Sequence, residues 1–312
     1  MEKTVVIALG GNALGKNLIE QRINVAKAAV PIADIIEAGY RVVVCHGNGP
    51  QIGMIDLAFE TASKSEPSIH PMPLSTDGAM SQGYIGFGIQ KALYKELGER
   101  GIQKSAATVI TQVVVDPKDP AFDEPTKPIG NFYTQEEAAI MMRTFPEIIM
   151  RPDAGRGWRR MVPSPEPLEI IEAPVIESML ECGHVVVACG GGGLPVIREG
   201  KGLIPWEAVI DKDFASELLA EILKADIFMI LTAVDKVAIN FGTQDQRNLD
   251  TITALEAEAY IEQGQFAAGS MLPKVQAGLR FIKARPDGTV LITSLERVLE
   301  GIRGQTGTRI IA

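Results

Sequence analysis

Three short apolar runs, each ending in glycine, most constrain what this chain can fold into. TVVIALGGNAL spans Thr4 to Leu14, RVVVCHGNGPQ runs from Arg41 to Gln51, and HVVVACGGGG runs from His184 to Gly193. Runs of Val and Ile favour strands. Without polar alternation they predict strands covered on both faces, as in a parallel sheet. Each run is far shorter than the ~20 residues a membrane helix needs. Glycine at a strand end permits unusual dihedrals and lets backbone N–H groups approach a ligand closely. Three such ends along one carboxyl edge can converge on a single polyanion.

The chain has 312 residues and a hydrophobic fraction of 46%, which suits one large α/β domain or two smaller ones. A formal charge of -9 opposes nucleic acid. The locally basic segment Arg151 to Arg160, with Arg156, Arg159 and Arg160, reads equally as a solvated face or a functional one. Cys45, Cys182 and Cys189 form no CxxC motif and read as reduced thiols, with Cys45 and Cys189 as small core residues at strand ends. No signal peptide or transmembrane run is visible, which gives a cytoplasmic location by default.

Between the glycine-ended strands the pattern turns helical. Leu18 to Glu37 can place Val25, Ala29, Ile32, Ile35 and Ile36 on one side, with Pro31 as a kink or break and Gly39 as the stop. Further helices are expected over Gln51 to Ser63, Asp77 to Arg100, Ala173 to Glu181, Phe214 to Leu223, Thr253 to Gln263 and Lys274 to Ala284. Additional strands are expected over Ala106 to Val115, Asp226 to Leu231 and Thr289 to Thr293, with Val237 to Asn240 as an edge strand. The proline-rich segment Asp116 to Glu169 interrupts this alternation and reads as an inserted subdomain in a single domain of residues 1–312. The architecture expected is a mostly parallel sheet covered by helices.

The glycine loops match neither GxGxxG nor GxxxxGK[ST], so a dinucleotide fold and a P-loop kinase are disfavoured. No HExxH or paired CxxC supports zinc. His46 stands at a strand end, as a catalytic base or a support of its own loop. Three lysines are more telling. Lys212 lies between Asp211 and Asp213, Lys274 in GSMLPK, and Lys127 in PTKPIG within the insertion. Lysines can stabilise a transferring phosphoryl group without acting as acid or base. An aspartate can hold such ammonium groups in place while glycine N–H groups cradle the acceptor.

The chain resembles the carbamate kinases of the amino acid kinase superfamily. The resemblance rests on ALGGNAL (8–14), HGNGPQIG (46–53), AMSQGYIG (79–86), DPAFDEPTKPIGNFY (119–133), GWRRMVPSPEP (157–167), CGGGGLPV (189–196), AVIDKDFAS (208–216), ILTAVDKVAINFG (230–242), GSMLPKV (269–275) and ITSLE (292–296), in family order over nearly the whole chain. It implies an open αβα sandwich with a mostly parallel central sheet of about eight strands, a small protruding subdomain and a homodimer. The reaction implied is reversible phosphoryl transfer between ATP and carbamate, giving ADP and carbamoyl phosphate, with Mg²⁺. The family runs toward ATP in arginine fermentation, or toward ammonia assimilation where carbamoyl phosphate is consumed.

Residue by residue, Gly10, Gly11 and Asn12 match the first phosphate-side loop, and Gly47, Asn48 and Gly49 the second, beside the carbamate. Lys212 and Lys274 match the lysines on the nucleotide phosphates, Asp213 the aspartate that organises them, and Lys127 a lysine brought in by the subdomain. Gly190, Gly191 and Asp235 are expected on the nucleotide side. Direct metal ligands are not identified. Ala8 stands where the acetylglutamate kinase branch commonly has lysine, and Lys127 is its natural substitute. Ser75-Thr76-Asp77 departs from the acidic-and-cysteine pattern of many members, close to the acceptor side. Competing readings are a kinase for another small carboxylate, a non-catalytic nucleotide-binding regulator on the same fold, and a nicotinamide-dependent oxidoreductase.

Overall fold

The computed structural model describes residues 2–10, 14, 15, 17–66, 68–146, 148–153 and 157–312, with Asn131 described by its backbone alone. The chain opens with β1 (Thr4–Leu9), α1 (Leu18–Glu37), β2 (Arg41–His46), α2 (Gly49–Ser65) and α3 (Leu74–Glu99). β3 (Ala106–Thr108) and β4 (Gln112–Val114) follow. The proline-rich segment then forms β5 (Lys127–Tyr133), α4 (Gln135–Thr144), β6 (Ile149–Pro152), β7 (Trp158–Val162) and β8 (Glu169–Ile170). Next come α5 (Ala173–Glu181), β9 (Val185–Val187), β10 (Leu194–Glu199), β11 (Gly202–Pro205), α6 (Lys212–Ile222) and β12 (Ile227–Thr232). The chain closes with β13 (Ala238–Ile239), β14 (Arg247–Asn248), β15 (Thr251–Thr253), α7 (Ala254–Glu262), α8 (Met271–Ala284), β16 (Thr289–Ser294), α9 (Val298–Ile302) and β17 (Thr308–Ile311).

Among the described residues the main sheet has eight strands in the order β15-β17-β16-β12-β1-β2-β9-β3, parallel except for β16 against β17. The three glycine-ended strands β1, β2 and β9 are neighbours in its middle. Alternate residues of each strand enter opposite apolar layers. Val6, Ala8, Val43, Val186, Phe228 and Ile230 pack toward α5, α6 and α8. Val5, Ile7, Leu9, Val44, Val187 and Met229 pack toward α1 and α3. This is an α/β sandwich with helices on both faces, and two buried faces explain why the strand sequences lack polar alternation.

Several expectations are corrected in detail. Ala106 to Val115 is two strands in two sheets. β3 pairs with β9, whereas β4 pairs with β10. The bend between them is held by Gln82, whose Oε1 accepts the Thr111 N–H at 2.8 Å and whose Nε2 donates to the Thr111 carbonyl at 3.3 Å. A side chain on α3 thus competes with the strand ladder and turns the chain. α3 starts at Leu74, three residues before Asp77, because Glu207 Oε2 accepts the Leu74 N–H at 3.1 Å and satisfies a free donor of its first turn. α1 continues through Pro31. β13 pairs with β14 as a separate ribbon and does not extend the main sheet.

Strands β5, β7 and β6 form their own antiparallel sheet, with α4 packed on it. This sheet rests on α2 by a close backbone contact. A Cβ built on Gly53 would lie 2.2 Å from the Gly130 Cα. Gly53→Ala therefore pushes β5 off α2. The expected result is a loss of about 1–3 kcal/mol in urea unfolding and a fall in turnover larger than that stability loss explains. Unchanged unfolding would show that the two backbones separate freely.

Candidate active site

The start of α6 gathers the sequence-predicted lysines and Asp213, and the glycine-ended strands β1 and β2 leave the sheet side by side. The Gly10 N–H donates to the Leu231 carbonyl at 3.1 Å, and the Gly47 N–H to the Leu9 carbonyl at 3.3 Å. The first two loops thus leave adjacent strand ends. Gly11 and Asn12 lie outside the described residues. Asn48 precedes α2, which begins with Gly49 and Pro50. Its Nδ2 donates to Ser81 Oγ at 2.9 Å, which ties the second loop to α3. Gln51, 2% exposed, donates through Nε2 to the Gly15 carbonyl at 3.1 Å and links the first loop to the second.

Lys212 and Asp213 occupy the first turn of α6, and Lys274 the first turn of α8. Asp213 is buried and accepts from both ammonium groups, from Lys212 at 2.5 Å and from Lys274 at 2.8 Å. Burial alone would raise its pKa, but the two lysines outweigh burial and hold the carboxyl well below the usual range. Burial pulls the Lys212 ammonium below its ordinary pKa, and Lys274 adds to the pull while Asp213 opposes it.

Lys127, the first residue of β5, reaches the same cluster. The route is set by pairing. Lys127 stands opposite Val162 on β7, and the Val209 N–H donates to the neighbouring Pro163 carbonyl at 3.0 Å. Ile52, Leu74, Ile129, Val162 and Val209 form a small apolar cluster at this junction. Two residues after Val209, Asp211 Oδ2 accepts from Lys127 Nζ at 2.5 Å. Sequence reasoning placed the lysines and Asp213 but gave Asp211 no role of its own. Its place beside Lys212 in IDKD was the available signal.

The remaining expected residues are divided. Asp235 follows β12 and accepts through Oδ1 from Ser294 Oγ, at the end of β16, at 2.5 Å. Gly190 and Gly191 do not join it. They follow β9, on the other side of β1, and are buried under the second loop. A Cβ on Gly191, whose φ is +68°, would meet the Asn48 side chain at 2.2 Å. One on Gly190 would meet His46 at 2.6 Å. Their lack of side chains is used to pack two loops together, on the side where the acceptor is expected.

His46 is fully buried, with Nδ1 2.9 Å from the Gly47 carbonyl. A carbonyl only accepts, so Nδ1 carries the proton. Burial, with the charge of Lys212 adding to it, lowers the imidazole to about 4 against the support of Gly47. A neutral ring bonded to its own loop fits a supporting role. The basic segment is similarly occupied. Arg159 pairs with Asp153 and lies over the Phe132 ring, and Arg160 pairs with Asp56 on α2. Arg156 is outside the described residues. Cys45 and Cys189 are buried free thiols, as expected.

Asp77 has no exposed surface, and among the described residues neither carboxyl oxygen has a hydrogen-bond partner. Burial, then the neighbouring Asp56 and Glu207, raise it to about 7, with Arg160 opposing. The native state therefore binds the extra proton between about 4 and 7, and this group lowers stability as pH rises through that window. His46 acts oppositely between about 4 and 6.5. Asp77→Asn should add on the order of 1–3 kcal/mol at pH 8 relative to the wild type, and little at pH 4. Urea unfolding at both pH values checks this, and parallel pH profiles for the two proteins would contradict it.

Comparison with known proteins places this geometry in context. A model of the amino acid kinase family matches residues 3–293. The chain is 51% identical over 310 residues to the carbamate kinase-like protein YqeA of Escherichia coli strain K12, covering 99% of each. It is 47% identical over 312 residues to a carbamate kinase of Clostridium perfringens, covering 98% of this chain and 99% of the other. Among solved structures it is similar to a carbamate kinase from Giardia lamblia bound to AMP-PNP. There the TM-score is 0.91 at 46% identity, covering 99% of this chain and 98% of the other.

Proposed function

The chain belongs to the amino acid kinase family and, within it, to the carbamate kinases, and we propose that it catalyses reversible phosphoryl transfer between ATP and carbamate. The observation that carries this reading is the gathering of three ammonium groups by two neighbouring carboxylates at the α6 terminus, beside glycine-ended strands. In the forward direction a carbamate oxygen attacks the γ-phosphorus, and the bond from that phosphorus to the β–γ bridging oxygen breaks to release ADP. Negative charge spreads over the transferring oxygens and needs fixed positive charge nearby. Lys212 and Lys274, held by Asp213, meet it from the nucleotide side, and Lys127 meets it from the insertion. Backbone N–H groups of Gly11, Asn12, Asn48 and Gly49 are assigned to orient the acceptor and the transferred group, while Gly10 and Gly47, whose own N–H groups bond to the Leu231 and Leu9 carbonyls, turn the chain out of the sheet toward them. Asp235 belongs to the nucleotide side, at the end of β12.

Mg²⁺ would enter with the nucleotide, held by its phosphates and water, and would neutralise phosphate charge. Among the described residues no group of three His, Cys, Asp or Glu could hold a metal ion. Asp211 and Asp213 already bind ammonium groups, so the chain's own contribution is assigned to the lysines.

The direction assigned is ATP formation in arginine fermentation, because carbamoyl phosphate is a mixed anhydride with high transfer potential. The reading includes residues 116–169 as a subdomain that moves over the site, and a cytoplasmic location. No helix among the described residues is long and apolar enough to cross a membrane. The reading also includes a homodimer. Ile19 and Ile23 on α1 and Phe87 and Tyr94 on α3 are exposed on two adjoining helices, an apolar surface suited to a second copy. Light scattering should give about twice the chain mass of 33.6 kDa, and Phe87→Asp should shift it toward a monomer. A monomeric wild type would exclude that assembly.

An acceptor panel tests the activity. With ADP and Mg²⁺, carbamoyl phosphate should be used at least about tenfold better than acetyl phosphate or an N-acylated amino acid phosphate. Preference for one of the others would move the chain to a different small carboxylate. Nucleotide binding without any turnover would favour a regulator.

A further inference from the structure

Asp213 binds two of the three ammonium groups and leaves Lys127 to a different carboxylate. Asp211 is the N-cap of α6, and its Oδ1 accepts the Asp213 N–H at 2.9 Å. Its Oδ2 accepts from Lys127 Nζ at 2.5 Å. One carboxyl therefore joins the helix that carries Asp213 to the strand that carries Lys127. The inserted sheet is also tied to the body by Arg160 to Asp56, by Gly53 against Gly130, by Val209 to Pro163 and by the packing of Ile129 and Val162 on Ile52, Leu74 and Val209. The Lys127–Asp211 pair fixes the first residue of β5, the point where the sheet meets α6.

Electrostatics explains why a second carboxylate is needed. Three ammonium groups facing one carboxylate repel one another in a partly desolvated site. With Asp211 the cluster holds three positive and two negative charges. The Lys127 side chain is 30% exposed and that of Asp211 16% exposed, so this pair remains open to exchange with an arriving phosphate. Lys212 and Lys274 are more enclosed, at 13% and 14%.

We propose that Asp211 is a positioning residue, holding Lys127 and its strand against the α6 terminus before substrate arrives and releasing the ammonium to the transferring phosphoryl group. This rests on the phosphoryl-transfer reading. Asp211→Asn separates its two tasks, because the amide oxygen still accepts the Asp213 N–H while the charge on Oδ2 is lost.

The experiment combines hydrogen–deuterium exchange of residues 127–162 in ligand-free protein with steady-state kinetics. It compares wild type, Asp211→Asn, Lys127→Ala and the double variant. Exchange in β5 should rise several-fold in Asp211→Asn and equally in Lys127→Ala, with no further rise in the double variant. Turnover in Asp211→Asn should fall by about 10- to 100-fold with KM for ADP within about twofold, and the charge-keeping Asp211→Glu should recover part of both effects. Wild-type exchange in Asp211→Asn overturns the proposal. So does an Asp211→Asn rate loss that persists in full on the Lys127→Ala background, since Asp211 would then act without Lys127. The exchange arm needs no substrate. The expected exchange pattern in a protein without carbamoyl phosphate turnover would support the docking pair and sink the functional reading.

Discussion

Lys127→Ala should lower turnover by about 10³-fold while moving the unfolding free energy by less than about 1 kcal/mol. The asymmetry follows from where the side chain sits. Its stem begins a strand whose pairing with β7 is made by backbone, and its ammonium meets Asp211 in a partly exposed pair. Such pairs contribute little to folding. Charge delivered to a transferring phosphoryl group contributes far more to the barrier, because Ala8 leaves the first strand without a lysine. Steady-state rates and urea unfolding on the same preparation check both halves. Parallel losses of activity and stability would show that Lys127 serves the fold.

Asp213→Asn should behave differently and lose both. The carboxylate is 3% exposed and is bound by Lys212 and Lys274 on two different helices. Replacing it leaves two enclosed ammonium groups facing a neutral amide. Breaking a buried pair in this way costs about 3–5 kcal/mol. The lysines then separate, and turnover should fall by about 10²-fold or more. The pH dependence has a definite sign. Asp213 has a lowered pKa in the fold, so its contribution is complete above the ordinary carboxylate value of 3.8 and is lost progressively as pH falls from there toward the lowered value of the folded state. Urea unfolding at pH 7 and pH 3 should show a large wild-type advantage at the first and a smaller one at the second. An equal difference at both values would mean that Asp213 acts by packing alone.

The strands carrying the site were legible because buried parallel strands need continuous apolar runs, and Thr4–Leu9 and Arg41–His46 have them. Lys212 and Asp213 were legible because charge directly after the apolar stretch AVI is conspicuous, and Lys274 because it stands in GSMLPK at the mouth of a helix. Position along the sheet was not. Gly190 and Gly191 resemble any phosphate loop in sequence, and only the contacts with His46 and Asn48 reveal their packing role. Asp211 was obscured for a related reason. It meets Lys127 across 84 positions, through the pairing of β5 with β7 and the tie from Val209 to Pro163. The isolation of Asp77 was equally hidden, because burial without a partner depends on what α2, β7 and Glu207 place around it. The split of Ala106 to Val115 is invisible in the sequence because the competing partner is the side chain of Gln82, not a break in the apolar pattern.

The central claim is that the cluster of Lys127, Lys212 and Lys274 transfers a phosphoryl group between a nucleotide and carbamate. The most direct test is the initial rate of ATP formation from ADP, Mg²⁺ and freshly prepared carbamoyl phosphate, with heat-inactivated protein as the control. The account predicts ATP formation proportional to folded enzyme and dependent on both substrates. A folded protein that binds ADP and forms no ATP above the control would contradict it.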